Sequence, residues 1–323
     1  MQIVAGADVM NQPSSSFTDW MDTRSLPRLL SGEPEPDWVQ HWRAYYRIDF
    51  AQSAGGVTQR LGRVEVAGYQ LAVQLYRPQR QLQGTCIVLH GYYDHMGLYG
   101  HLYAWALQQG FAVLTCDLPG HGLSSGARAS IESFAEYQQV LQVLLQLTEP
   151  LQLPGPVHLI GQSTGAAIGL ELALRGWPGQ LGRLVMLAPL VRPRAWRQSR
   201  LLYQGLSPFV RQIPRRRSQN SGDEEFLQFL QQDPLQAAVL PTAWVGALSR
   251  WIPQIEQAGS VKVSPVIVQG DADRTVDWKH NLDVLQDKFA SPEICILPGA
   301  QHHLVNELEH YRQQGFHFIE KYL

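Results

Sequence analysis

The sequence predicts an α/β fold: a mostly parallel central sheet flanked by helices, with a helical segment inserted into it. Three observations carry this expectation. Short, wholly apolar runs of strand length alternate with helical runs through most of the chain. The alternation breaks after Pro189 and resumes at Val266. One strand passes into one helix through Gly161-Gln-Ser-Thr-Gly165, whose glycine spacing suits a sharp turn that exposes its serine. Wholly apolar runs fit strands buried on both faces. Their alternation with helices fits right-handed βαβ units and a sheet covered on both sides.

Residues 1 to about 36 lack periodicity, carry Pro13-Ser-Ser-Ser16 and Gly32-Glu-Pro-Glu-Pro36, and read as an irregular or partly ordered leader. The aromatic stretch 37–46 is expected to pack on the core. Alternating runs on either side of Ala67-Gly68 predict a β-hairpin over 59–77. Buried strands follow at 86–89, 111–116, 157–160 and 184–187. Between them lie helices at 98–109, stopped by Gly110, at 134–147 and at 166–174. Residues 191 to about 258 hold no buried-strand run. They carry Arg192, Arg194, Arg197, Arg200, Arg211 and Arg215-Arg-Arg217, and apolar helical patches at 226–230 and 243–248. A strand at 266–268, a helix at 279–289, a strand at 293–297 and a closing helix at 310–322 complete the chain. The expected division is a leader over 1–58 packing on the core, a core over 59–190 and 259–323, and a helical cap over 191–258.

The 323 residues carry a formal net charge of −2, so no global field recruits nucleic acid or steers an anion. Cys86, Cys116 and Cys295 all fall in apolar strand-like runs. An odd count at such positions reads as buried free thiols in a reducing compartment, and a cytoplasmic location is expected. No basic segment followed by a long apolar core opens the chain, so no signal peptide is expected. No run reaches the roughly 18 apolar residues of a membrane span. His90, His95 and His101 lack a spaced set of cysteines or acids, and no glycine-rich phosphate loop is present, so neither a metal nor a cofactor is expected.

Ser163 is the candidate nucleophile. A sharp turn forces its backbone into a strained conformation and lifts the hydroxyl clear of the sheet. Residues two before and two after then lie against neighbouring backbone, where glycine is preferred. The turn also aims a helix N-terminus at any developing oxyanion. Gly270-Asp-Ala-Asp273-Arg-Thr-Val276 follows directly on the strand at 266–268, at the sheet end that the serine turn faces. Asp271, Asp273 and Asp277 compete there to orient a histidine. Gly299-Ala-Gln-His302-His303 follows the last strand. One of this adjacent pair can serve as general base, and their side chains point different ways. His90-Gly91-Tyr92 follows the first buried strand, so the backbone N–H groups of Tyr92 and Thr164 are candidate oxyanion donors.

These segments resemble the α/β-hydrolase fold family, and within it the monoacylglycerol lipase, lysophospholipase and serine aminopeptidase S33 group. The resemblance covers roughly residues 60–323. It rests on His90-Gly91-x-x-Asp94-His95-x-x-x-Tyr99, Asp117-x-Pro-Gly120-His121-Gly122-x-Ser124-x-Gly126, Gly161-x-Ser163-x-Gly165, Gly270-x-x-Asp273-x-x-Val276 and Gly299-Ala-x-His302-x-Leu-x-Asn306-Glu307. It implies Ser163 as nucleophile, Asp273 as acid and His302 as base, with the Tyr92 and Thr164 N–H groups as oxyanion hole. His303 becomes a neighbour, and Asp117, His121 and His95 become structural. Gln162 and Thr164 depart from the usual His-Ser-Met elbow; Gln162 can bond neighbouring backbone in place of the histidine. The expected chemistry is hydrolysis of a lipid-like acyl ester, a monoacylglycerol or lysophospholipid, through an acyl-enzyme. A peptidase of the same fold and a non-catalytic binding protein are the alternatives. The cap arginines read as a solvated helical face, with contact to an anionic headgroup or membrane surface as the alternative, and no oligomeric state follows from the sequence.

Overall fold

The computed structural model describes residues 21–53, 56–215 and 219–323. Its sheet opens with a hairpin, β1 (Val57–Val66) and β2 (Tyr69–Pro78), turned at Ala67 and Gly68. Both turn residues have positive φ, 54° and 80°, the geometry whose twist matches the flanking strands. β3 (Gly84–Leu89), β4 (Phe111–Cys116), β5 (Val157–Gln162) and β6 (Leu181–Leu187) follow. Two three-residue strands, the exposed β7 (Gln212–Pro214) and the partly buried β8 (Val239–Pro241), pair only with each other. β9 (Val266–Gly270) and β10 (Glu293–Leu297) return to the main sheet. Its order is β1-β2-β4-β3-β5-β6-β9-β10. β2 runs antiparallel to both neighbours, and every other pair is parallel.

Successive residues of β3 point to opposite faces: Ile87 and Leu89 enter one core, Cys86 and Val88 the other. The helices are α1 (Trp38–Tyr45), α2 (Gly100–Gln108), α3 (Phe134–Leu147), α4 (Thr164–Gly176), α5 (Trp196–Leu206), α6 (Glu224–Gln232), α7 (Thr242–Gln257), α8 (Trp278–Lys288) and α9 (Glu309–Glu320). Those on the Ile87 side include α3, α4, α7 and α8; α1, α2 and α9 close the other side. α3 begins where Ser133 and Glu136 cap each other's backbone, a reciprocal pattern that satisfies two orphan N–H groups. From β3 the chain turns one way to β4 and then the other way to β5. The loops after β3 and β5 therefore face one crevice at the carboxyl ends of the strands.

Three sequence expectations need correction. Residues 21–36 are more fixed than an irregular leader. Arg63 N–H donates to Pro27 O and Leu29 N–H to Arg63 O, while Leu26 and Leu29 are buried. The segment covers the free edge of β1, and a single covering strip has no periodicity to read. Residues 1–20, including Pro13-Ser-Ser-Ser16, lie outside the described residues, as do Arg216 and Arg217. α5 was not anticipated between 191 and the patch at 226. Cys86 and Cys116 are buried free thiols, but Cys295 is only half-buried.

Candidate active site

Ser163 sits where β5 becomes α4, with φ 52° and ψ −109°, a conformation that side-chain-bearing residues rarely adopt. The crowding that requires glycine on both sides can be measured. A Cβ on Gly161 would lie 2.3 Å from the Gly165 backbone, and one on Gly165 would lie 2.1 Å from Leu89 O. Ser163 N–H donates to Leu187 O at 2.8 Å, which pins the turn to β6. Gln162 Oε1 accepts from Val305 N–H at 3.2 Å, joining the turn to the loop that carries the histidines.

Of the three candidate acids, the fold brings Asp273 to His302: Nδ1 donates to Oδ2 at 2.7 Å. The other oxygen of Asp273 accepts from Thr275 N–H at 2.7 Å and Val276 N–H at 3.1 Å. Asp271 instead accepts from Gly299 N–H at 2.7 Å, and Asp277 stands at the start of α8. Burial pushes the Asp273 carboxyl up, but the His302 charge and the hydrogen bonds it accepts outweigh burial and hold it below its ordinary range. Burial pulls His302 down, yet the Asp273 carboxylate, with a smaller push from Asp94, raises it above its ordinary value. Both shifts favour the charged forms, so the pair stabilises the imidazolium that forms when His302 takes a proton.

Ser163 and His302 line the same cavity of about 560 Å³. Among the described residues no hydrogen bond joins the serine hydroxyl to the imidazole; such contacts commonly tighten only when substrate is bound. The Tyr92 and Thr164 N–H groups donate to no other protein group among the described residues. The Tyr92 ring is stacked on Trp244 of α7 at 3.7 Å, and its hydroxyl donates to Ala129 O at 2.8 Å, so the turn that carries its N–H is braced from two sides. The lining combines apolar side chains, among them Leu190, Trp196, Leu240, Trp244, Leu248 and Val276, with polar ones, among them Asp94, Arg215, Gln219, Asn220, Gln236 and His303.

Sequence reasoning missed the second buried pair. His303 Nε2 lies 3.1 Å from Asp94 Oδ2, and Tyr99 donates to the same oxygen at 2.9 Å while accepting Gly91 N–H at 2.8 Å. Asp94, His95 and Tyr99 stood in a quoted motif, but nothing in their spacing showed that their partner is the histidine beside the base. Asp117 accepts from the N–H groups of Met96 and Leu123, both at 2.7 Å, and His95 pairs with Asp233 at 2.8 Å; both stand away from the cavity lining. Among the described residues no cluster of His, Cys, Asp and Glu could hold a metal ion.

The family model for serine aminopeptidase S33 matches residues 80–309. The chain belongs to that family. Human monoglyceride lipase is 27% identical over 274 residues, which span 80% of this chain and 88% of that protein. A monoacylglycerol lipase from Mycolicibacterium smegmatis is 24% identical over 262 residues, 76% of this chain and 90% of the other. Among solved structures, a soluble variant of Saccharomyces cerevisiae monoglyceride lipase in complex with a substrate analogue superposes with a TM-score of 0.70 at 17% identity, covering 81% of this chain and 93% of that one. The monoacylglycerol lipase of Paleococcus ferrophilus gives 0.67 at 18% identity, covering 80% and 98%. At these identities the structures establish the α/β-hydrolase fold, which the sheet order and the serine turn of this family member share.

Proposed function

We propose that this chain hydrolyses a lipid-like carboxylic ester, a monoacylglycerol or a lysophospholipid, by acyl transfer through Ser163. The observation that supports it best is the convergence at one cavity of a strained serine, the Asp273–His302 pair and two undonated N–H groups. His302 takes the Ser163 proton as Oγ attacks the ester carbonyl, and Asp273 stabilises the imidazolium. The oxyanion rests on the Tyr92 and Thr164 N–H groups, each typically worth about 3 kcal/mol of barrier. His302 then protonates the leaving alcohol, and water activated by the same imidazole releases the acid. The apolar lining residues accommodate the acyl chain.

The family description names an aminopeptidase, and two physical arguments favour an ester over a peptide. Asp94 is the one carboxylate among the described lining residues, and Tyr99 and His303 already engage it. A free α-amine would need an acid with spare acceptor capacity. The relatives over most of their length are named monoacylglycerol lipases. A non-catalytic descendant would be expected to have lost a member of the triad, and Ser163, Asp273 and His302 are all present.

The segment 191–258 would act as a cap that delivers substrate from a bilayer. α5 turns Trp196 and Ser199 toward the cavity and leaves Leu201 and Leu202 68% and 64% exposed, followed by Phe209 at 87%. Arg194, Arg197, Arg200 and Arg211 are exposed around them. Apolar side chains ringed by cations fit the interface of an anionic membrane. Among the described residues no helix is long and apolar enough to cross one. A cytoplasmic enzyme docking reversibly on such a surface suits both this face and the free thiols.

The test is a p-nitrophenyl ester series of varied acyl length, beside a monoacylglycerol and lysophosphatidylcholine, on wild type and Ser163→Ala. Ser163→Ala is expected to lose several orders of magnitude in kcat. A flat response that does not depend on the serine would sink the reading.

A further inference from the structure

Glu307 stands five residues past the base, and the acyl-transfer steps give it no part. Its side chain is fully buried. Both carboxylate oxygens are occupied by backbone donors. Oε1 accepts from Gln301 N–H at 2.7 Å; Oε2 accepts from Gly222 N–H at 3.0 Å and Leu308 N–H at 2.9 Å. The Gln301 peptide directly precedes His302. Gly222 belongs to the segment between β6 and β9, far away in sequence.

Two further bonds tie the same stretches together. His303 N–H donates to Asn220 O at 2.7 Å, and Ser221 Oγ donates to Asn306 O at 2.7 Å. Gln219 and Asn220 line the cavity just before this contact. Just after it, Asp223 accepts from Phe226 N–H at 3.0 Å and so caps α6, whose Leu227 and Leu230 line the cavity as well. The loop of the base and the segment 219–223, whose Gln219 and Asn220 line the cavity, thus share one ladder, with a single carboxylate bonded to both stretches. A carboxylate suits this place because it accepts at both ends. A glutamine amide would turn N–H toward N–H at one of them.

We propose that Glu307 is a positioning residue: it ties the loop of the base to the segment 219–223, which leads on from the cavity-lining Gln219 and Asn220, so that the His302 imidazole comes into register only when that segment is seated. The proposal rests on the triad reading given above. It makes placement of the base depend on a part of the chain that the substrate itself touches. An acyl chain or headgroup that settles the segment would then also settle the base.

The experiment is Glu307→Gln, with folding checked by circular dichroism and melting temperature. On p-nitrophenyl butyrate kcat is expected to fall about 100-fold, the scale of a small misplacement of a catalytic group, while KM moves by less than about threefold. The acid limb of kcat/KM should move to lower pH, because an imidazole loosened from Asp273 loses the charge that raises its pKa. The downfield proton resonance of the His302 Nδ1–H should broaden or vanish, and Glu307→Asp, which keeps the charge, should recover part of kcat. Wild-type kcat, limb and resonance in a folded Glu307→Gln would overturn the proposal. The resonance is read without turnover, so residual activity in Ser163→Ala would sink the acyl-enzyme reading separately. Should Glu307→Gln not fold, Ser221→Ala, which removes one bond of the same ladder, carries the test. A several-fold loss of kcat with the same limb shift supports the coupling, and an unchanged variant refutes it.

Discussion

Two Asp–His pairs lie side by side at the cavity, and residue-scale electrostatics tells them apart. His302 bonds Asp273 and lines the cavity beside Ser163, whereas His303 faces Asp94 and packs its ring against Phe226 at 4.7 Å. The Asn306 amide lies 3.4 Å from His303 Nδ1, so both ring nitrogens of His303 face protein groups rather than the serine. The base works when neutral, and its pKa is raised, so kcat/KM should climb with pH through a limb above the ordinary histidine value of about 6.5. Asp94 contributes to that rise. Asp94→Asn should therefore move the limb toward lower pH, and a limb that stays put or moves up would remove Asp94 from the charge balance of the base. The sequence could not reach this detail. Asp271, Asp273 and Asp277 lie within seven residues of one another in one loop region, so spacing alone leaves all three within reach of a histidine. Backbone conformation decides, because Thr275 and Val276 hold one Asp273 oxygen and free the other for His302.

Among the elements, the buried strands were the most legible and α5 the least. β3 and β4 are fully buried and, apart from Thr85 and Thr115, apolar, because helices cover both faces. α5 is amphipathic, but its stripe of Trp196, Leu202, Tyr203 and Leu206 is short and set among arginines and glutamines, so it reads as a charged stretch. Trp196, Ser199 and Tyr203 turn inward, Tyr203 against Gly246 of α7, while Leu201, Leu202 and Leu206 turn out among arginines. Leu202 and Leu206 carry the apolar stripe past the part that the protein covers, and with Leu201 they form the exposed face proposed to meet the membrane. Each exposed leucine or phenylalanine withdrawn from water is worth about 1.5–3 kcal/mol, and each arginine near an anionic surface about 1 kcal/mol. The triple variant Leu201→Ser, Leu202→Ser, Phe209→Ser should thus lose more than about tenfold in partition onto phosphatidylglycerol vesicles. It should still hydrolyse a soluble short-chain ester. Arg197→Gln with Arg200→Gln should weaken the salt dependence of partition. Equal sedimentation of all three proteins with vesicles, or binding indifferent to salt, would refute membrane docking by this face.

Across the whole molecule, the reversal of strand order between β4 and β5 puts the oxyanion turn beside the serine. That reversal is written in no single stretch of the chain. Alternation of strands and helices made the parallel sheet legible, but the order β2-β4-β3-β5 and the covering of β1 by residues 27–29 depend on pairings between distant segments. The same burial that builds this interior sets how the protein answers to acid. His90 is pushed down to about 3, and His121 and His158 to about 4, each chiefly by burial. In the unfolded chain all three return to about 6.5. Between roughly pH 6.5 and 4 the unfolded state therefore binds protons that the folded state refuses, so stability is fully present above 6.5 and drains away as pH falls. His95 and His302 are raised and act in the opposite sense, which makes single substitutions the clean test. His158 lies on β5 away from the cavity, and its Nδ1 accepts Arg183 N–H at 3.0 Å, a bond that a glutamine oxygen can replace. His158→Gln should flatten the decline of melting temperature between pH 7 and 5, recovering at most about 2 kcal/mol of the pH-dependent loss. The reading is the slope against pH, so any uniform loss of stability from the substitution cancels. A slope identical to wild type would mean that His158 does not resist protonation in the folded state.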